Sequence, residues 1–89
     1  MTVRRRVLIT GRVQGVGFRY AVLQRARTRG VAGWVRNLPS GHVEAVFEGE
    51  PSAVAAMVDY CSRGPLGASV DDVEVTVEPP GGETGFSAR

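Results

Sequence analysis

The stretch Gly11-Arg12-Val13-Gln14-Gly15-Val16-Gly17-Phe18-Arg19 follows the apolar run Val7-Leu8-Ile9 and precedes a helical pattern. It reads as a strand-to-helix turn, and it opens the order of elements from which the fold follows. Three glycines within seven residues let the backbone take positive φ and let a ligand approach its N–H groups. A loop that enters a helix N-terminus offers unpaired amide donors and the positive end of the helix dipole, both of which favour an anion. Arg19 falls in the first turn of that helix, where its five-donor fork can reach the same anion. Two readings stand at this point: a cradle for phosphate or carboxylate, or a glycine-rich turn beside an incidental arginine.

The spacing G-x-x-x-G-x-G is neither the G-x-G-x-x-G of dinucleotide sites nor the G-x-x-x-x-G-K-[ST] of P-loops. The chain contains no lysine, all eleven basic residues being Arg, so Schiff-base chemistry on lysine is excluded. Its 89 residues predict a single domain over 1–89, with one two-layer core. Cys61 is the only cysteine, which excludes an intrachain disulfide and suits a reducing compartment. No apolar run reaches membrane-span length and no signal-peptide h-region is present, so a cytoplasmic protein with no membrane partner is expected.

Charge is distributed unevenly. Residues 1–36 hold nine arginines and no acid, and residues 37–89 hold all nine acids with only Arg63 and Arg89. A basic half fits nucleic acid, a small anion, or basic strands lying beside acidic ones in one sheet. Arg4, Arg5 and Arg6 stand on consecutive strand positions, which point to alternate faces and make no continuous stripe.

Outward from the glycine loop, Val3 to Thr10 reads as a strand buried on both sides. Phe18 to Arg29 reads as a helix with Phe18, Val22 and Ala26 on one stripe, stopped by Gly30. Val31 to Leu38 and His42 to Gly49 are strands joined by the Pro39-Ser40-Gly41 turn. Pro51 opens a second helix to Arg63, with Val54, Met57, Val58 and Cys61 at helical spacing; Glu50 is a poor N-cap by residue type. Val73, Val75 and Val77 alternate with Glu74, Thr76 and Glu78 in a fourth strand. Pro79-Pro80-Gly81-Gly82 ends it, and Thr84 to Ala88 is either a short edge strand or a frayed tail.

The order βαββαβ is that of the ferredoxin-like split βαβ sandwich, an α+β fold. It predicts two helices packed on one face of a four-stranded antiparallel sheet in spatial order 4-1-3-2, to which the C-terminal tail adds a short fifth strand if it is an edge strand and not a frayed end. Strand 1 then lies between strands 3 and 4, so its outward arginines face Glu44, Glu48, Glu74 and Glu78. Each such exposed pair contributes only ~0.2–1 kcal/mol, so the asymmetry is surface complementarity. Strand 2 runs parallel to strand 1, which brings Asn37 to the same sheet end as Arg19 across roughly two strand spacings, ~10 Å.

The glycine loop together with Gly33-Trp34-Val35-Arg36-Asn37 resembles the two-part signature of the acylphosphatases, and the likeness extends over most of the chain, including the Gly64-Pro65 break. That resemblance implies hydrolysis of an acyl phosphate, R-CO-O-PO₃²⁻, to carboxylate and phosphate without metal or cofactor. It implies that Gln14, Gly15, Val16, Gly17 and Phe18 hold the phosphate through backbone amides. It further implies that Arg19 binds the phosphate and that Asn37 orients the attacking water. The chemistry agrees: the carboxylate is a good leaving group, so no general acid is needed, and such phosphoryl transfer is mostly positioning and charge stabilisation.

Other candidates are weaker. His42 has no neighbouring Cys or second His to complete a metal site. Cys61 sits on the apolar stripe of its helix as a small core residue. Trp34 reads as core or half-buried, and Asp71-Asp72 as a solvated turn at a strand entrance. The segment from Pro79 to Arg89 departs from the family's usual strand-forming end, and Arg36 suggests only a surface ion pair. An RNA-binding module of this topology would stack bases on central-strand aromatics. Strand 1 carries none and strand 3 only Phe47, in phase with its core residues. The expected partners are therefore a small acyl phosphate and inorganic phosphate, with no nucleic acid, and a monomer.

Overall fold

A computed structural model describes all residues from Met1 to Arg89. Its elements follow the order β1 (Val3–Arg12), α1 (Phe18–Thr28), β2 (Ala32–Asn37), β3 (Val43–Gly49), α2 (Pro51–Arg63), β4 (Ser69–Glu78) and β5 (Phe86–Ala88). The strands form one sheet in the order β4-β1-β3-β2-β5. The first four are antiparallel neighbours in the predicted 4-1-3-2 order. β5 adds to the outer edge of β2 in parallel, so the sheet has five strands and is mixed.

Strand alternation sorts the side chains into two layers. Val7 and Ile9 of β1, Val35 of β2, and Val43, Ala45 and Phe47 of β3 point to the helix side. There they pack against Phe18, Val22 and Ala26 of α1 and Val54, Met57 and Cys61 of α2. Each large side chain buried this way contributes ~1.5–3 kcal/mol, so this layer holds the fold. No helix is long and apolar enough to cross a membrane.

The opposite face is polar and closed by ion pairs. Arg4 meets Glu48, Glu78 and Glu83, and Arg6 meets Glu44 and Glu78, at 2.7–3.1 Å. The predicted cross-strand pairing of basic β1 with acidic neighbours therefore holds, with one exchange. Glu74, registered opposite Leu8, takes no part, and Glu83 replaces it. Trp34 lies buried on this face, with the guanidinium groups of Arg6, Arg36 and Arg89 over its ring at 5.6, 5.2 and 4.5 Å.

Two local features differ from the sequence reading. Glu50 does cap α2: its extended backbone lets the carboxylate turn back and accept from the Ala53 amide at 3.1 Å. β4 begins at Ser69, so Asp71 and Asp72 lie in a strand. The period-2 pattern is hidden there by a bulge, since Thr10 pairs with Asp72 and Gly11 with Val70. Gly11 is required at that bulge, because at φ 125° a Cβ would stand 2.3 Å from the Ser69 carbonyl oxygen.

The segment after Pro79 is an ordered edge. Glu48 accepts from the Gly81 and Glu83 amides at 2.7 and 2.9 Å, pinning the connection across the polar face. Phe86 then stacks on Phe47 at 5.7 Å and packs over Gly33. At Gly33 a Cβ would clash with the Val46 carbonyl, so only glycine admits this layer.

Candidate active site

The end of β1 and the start of α1 are joined by a turn whose ends are anchored and whose middle is open. Val13 and Phe18 are buried in the core, while Gly15 and Gly17 stand at φ 75° and 77°. A Cβ on either glycine would meet nothing within 4 Å, so the glycines serve backbone conformation and leave the concave side clear. α1 has no side-chain N-cap and no acid in its first turn. Outside the regular elements, no backbone N–H from Val13 to Tyr20 donates to a carbonyl. A row of free amides at a helix N-terminus, with no acid of its own, has the donors and the dipole end that suit an anion.

Asn37 reaches the same place by strand parity. It is two residues beyond Val35 and shares its face, the helix side, whereas Trp34 and Arg36 point to the polar face. Val13, Gly15, Gly17, Phe18, Arg19, Tyr20 and Asn37 line one cavity of about 180 Å³. Arg19 and Asn37, predicted from segments eighteen positions apart, thus border a common space. Neither Arg19 nor the Asn37 carboxamide has an Asp or Glu partner, and the carboxamide makes no hydrogen bond within the chain.

The predicted gap across β3 is spanned by one side chain. Gln14 Nε2 donates to the carbonyl oxygens of Leu38 and His42 at 2.7 and 2.9 Å. These are the residues that close the β2–β3 hairpin, where Leu38 N–H donates to the same His42 carbonyl. Gln14 was expected in the phosphate loop through its backbone; its side chain additionally ties the loop to the segment carrying Asn37. Its one available clue was residue type, as the only carboxamide in the loop, a two-donor group beside a turn.

Arg19 Nη1 donates to the backbone oxygen of Arg89 at 2.6 Å. The Arg89 amide in turn donates to Val35 at 2.8 Å, so the residue after β5 is held against β2 and braces the guanidinium. Nothing in the local sequence signals this contact between residues seventy positions apart.

The remaining candidates fall elsewhere. Arg36 pairs with Glu44 at 2.7 Å on the polar face, the ion pair its position suggested. The His42 carbonyl, not its imidazole, is what the loop uses. Cys61 is fully buried, and burial pushes its thiol up to about 12, leaving it inert as a nucleophile. No three His, Cys, Asp or Glu residues are grouped to hold a metal ion.

Taken together, these elements define an α+β sandwich with a small cavity between its first strand–helix turn and the end of its second strand. Comparison with known proteins supplies the particular family. The acylphosphatase family model matches residues 5–88. An acylphosphatase from Rubrobacter xylanophilus is 56% identical over 89 residues, covering 99% of this chain and 81% of the relative. One from Trichormus variabilis is 53% identical over 87 residues, covering 98% and 86%. The crystal structure of the Bacillus subtilis acylphosphatase superposes with a TM-score of 0.94 at 39% identity, covering 100% of this chain and 99% of that one. The chain belongs to the acylphosphatase family, enzymes that hydrolyse acyl phosphates.

Proposed function

We propose that the cradle between Gln14 and Arg19 holds the phosphoryl group of the acyl phosphate and that Asn37 aims the attacking water. The amides of Gly15, Val16, Gly17 and Phe18 and the guanidinium of Arg19 bind the three non-bridging oxygens, whose charge persists through a loose transition state. Water coordinated by the Asn37 carboxamide attacks phosphorus in line. The P–O bond to the acyl oxygen breaks, its electron pair leaves with the carboxylate, and the water's proton passes to a phosphate oxygen. The products are carboxylate and dihydrogen phosphate. A carboxylate leaves without protonation, so neither a general acid, a metal nor a cofactor enters the balance.

One observation carries this reading: the free amides, Arg19 and the unbonded Asn37 carboxamide border a single cavity of about 180 Å³. The same site makes inorganic phosphate a product that rebinds and competes. The enzyme is read as a single-domain monomer acting in the reducing cytoplasm, where its one thiol stays unoxidised. Arg4 and Arg6, two of the three consecutive arginines at the start of β1, are matched by carboxylates, which takes them out of any polyanion patch there.

The test is phosphate release from acetyl and benzoyl phosphate by purified protein, with and without a chelator. Turnover unaffected by the chelator and inhibited competitively by inorganic phosphate is expected. A folded protein that leaves benzoyl phosphate at its spontaneous rate of decay removes the reading.

A further inference from the structure

The cradle has an open side, and it leads along a helix. Tyr20, the residue after Arg19 and 66% exposed, lines both the cradle and a groove of about 900 Å³ between α1 and α2. On the α1 side the groove is lined by two i,i+4 rows, Tyr20, Gln24 and Thr28 in one and Ala21 and Arg25 in the other, with Arg29 just past the helix end. Side chains on a helix lean toward its N-terminus, which here is the cradle.

The arginines of this groove are not paired with an acid. Its lining contains two arginines and no Asp or Glu, and none of the ion pairs in the chain involves Arg25 or Arg29. Arg25 is nonetheless held in place, its guanidinium lying 4.1 Å over the Tyr60 ring. Stacking fixes the plane and leaves the in-plane N–H donors free for a carboxylate or phosphate. An arginine oriented in this way and lacking an acid is organised for a ligand, in contrast to Arg4 and Arg6.

Once a phosphoryl group occupies the cradle, the acyl group attached to it must leave through the open side. We propose that the groove between α1 and α2 is the acyl subsite: Tyr20 packs against the acyl body and Arg25 pairs with a negative group at its far end. The enzyme then favours acyl phosphates whose acyl part carries a second anionic group over neutral ones of the same shape. Arg25 follows Tyr20 by five residues, about 7.5 Å along the helix, a span that a para-substituted benzoyl group fills. This assignment rests on the phosphoryl site proposed above.

The experiment compares kcat/KM for 4-carboxybenzoyl phosphate and 4-methylbenzoyl phosphate, with acetyl phosphate as the short reference. Taking the ratio of the two aromatic substrates within each protein cancels general losses of activity, and comparing that ratio between proteins cancels intrinsic reactivity. Arg25→Gln is expected to lower the ratio about three- to fivefold, mainly through KM, as removal of one solvent-accessible charge pair should. Tyr20→Ala is expected to weaken both aromatic substrates relative to acetyl phosphate. Arg63→Gln removes the same charge from α2 outside the groove lining and is expected to keep the native ratio. A ratio unmoved by Arg25→Gln, or moved equally by Arg63→Gln, overturns the subsite while acetyl phosphate turnover leaves the phosphoryl site standing. Loss of acetyl phosphate turnover in the native protein brings down both.

Discussion

Arginine does opposite work on the two sides of this molecule. On the polar face of the sheet, Arg4 and Arg6 are each engaged by two or three carboxylates and serve the structure. At the start of α1, Arg19 touches no Asp or Glu side chain, and its only intrachain hydrogen bond is to the main-chain oxygen of Arg89. The residue type is the same, and the charge within hydrogen-bond reach decides its role. A guanidinium whose donors are filled by acids holds strands together, whereas one left with free donors beside free amides is available to an incoming anion.

The sharpest way to break this contrast is to remove the free arginine. Arg19→Ala is expected to lower kcat/KM by about 10³-fold or more and to abolish phosphate inhibition, as loss of a transition-state arginine does. Its stability is expected to stay within about 0.5 kcal/mol of native in urea unfolding. Arg19→Lys is expected to be nearly as damaging, since a point charge cannot replace the fork. Next in size, Asn37→Ala is expected to reduce kcat about 10²-fold with little change in KM, the signature of a group that acts on the attacking water. Equal loss of affinity in both variants contradicts the division of roles.

Gln14→Ala probes the brace between the two halves of the site. Losing both of its hydrogen bonds is expected to cost about 1–3 kcal/mol of stability and to lower kcat/KM through looser placement of Asn37. The polar face should give the reverse pattern. Glu48→Gln is expected to destabilise the chain by about 1–3 kcal/mol, read as a shifted urea midpoint, with kcat/KM of the folded protein unchanged.

The smallest effect is on pH. Hydrogen bonds from the Gly81 amide and from Arg4 lower the Glu48 carboxyl, and Arg6 and Arg4 lower that of Glu78. A carboxyl lowered on folding stabilises the native state above its unfolded value and loses that contribution as pH falls toward its folded value. Urea midpoints are therefore expected to be flat near neutrality and to decline below about pH 4.5, the ordinary carboxylate range. Glu48→Gln should flatten part of that decline.

The sequence carried the frame of the molecule because that frame is written in local patterns. Periodicity located the two helices, with Pro51 and Arg63 as the exact bounds of α2, and the turn residues located the hairpin. Strand order followed from the order of elements, and with it the arrival of Arg19 and Asn37 at one sheet end. What escaped was set by contacts between distant residues. The Gln14 brace reaches 24 and 28 positions along the chain, and the Arg19–Arg89 contact reaches 70. The Glu50 cap depended on a carboxylate folding back on its own helix, against the residue-type preference. Residues 84–88 stayed open between edge strand and frayed tail because β5 is secured by Phe86 stacking on Phe47 above a glycine, and a lone phenylalanine near the end of a polar segment has no period to decide it.

Trp34 is the sole tryptophan and lies beneath Arg89, whose backbone oxygen is the one that Arg19 holds. Its indole emission therefore belongs to a single optical reporter, coupled through one residue to the guanidinium on the far side of the sheet. Detachment of the last strand and occupancy of the cradle can be followed by the same intrinsic signal, without a label.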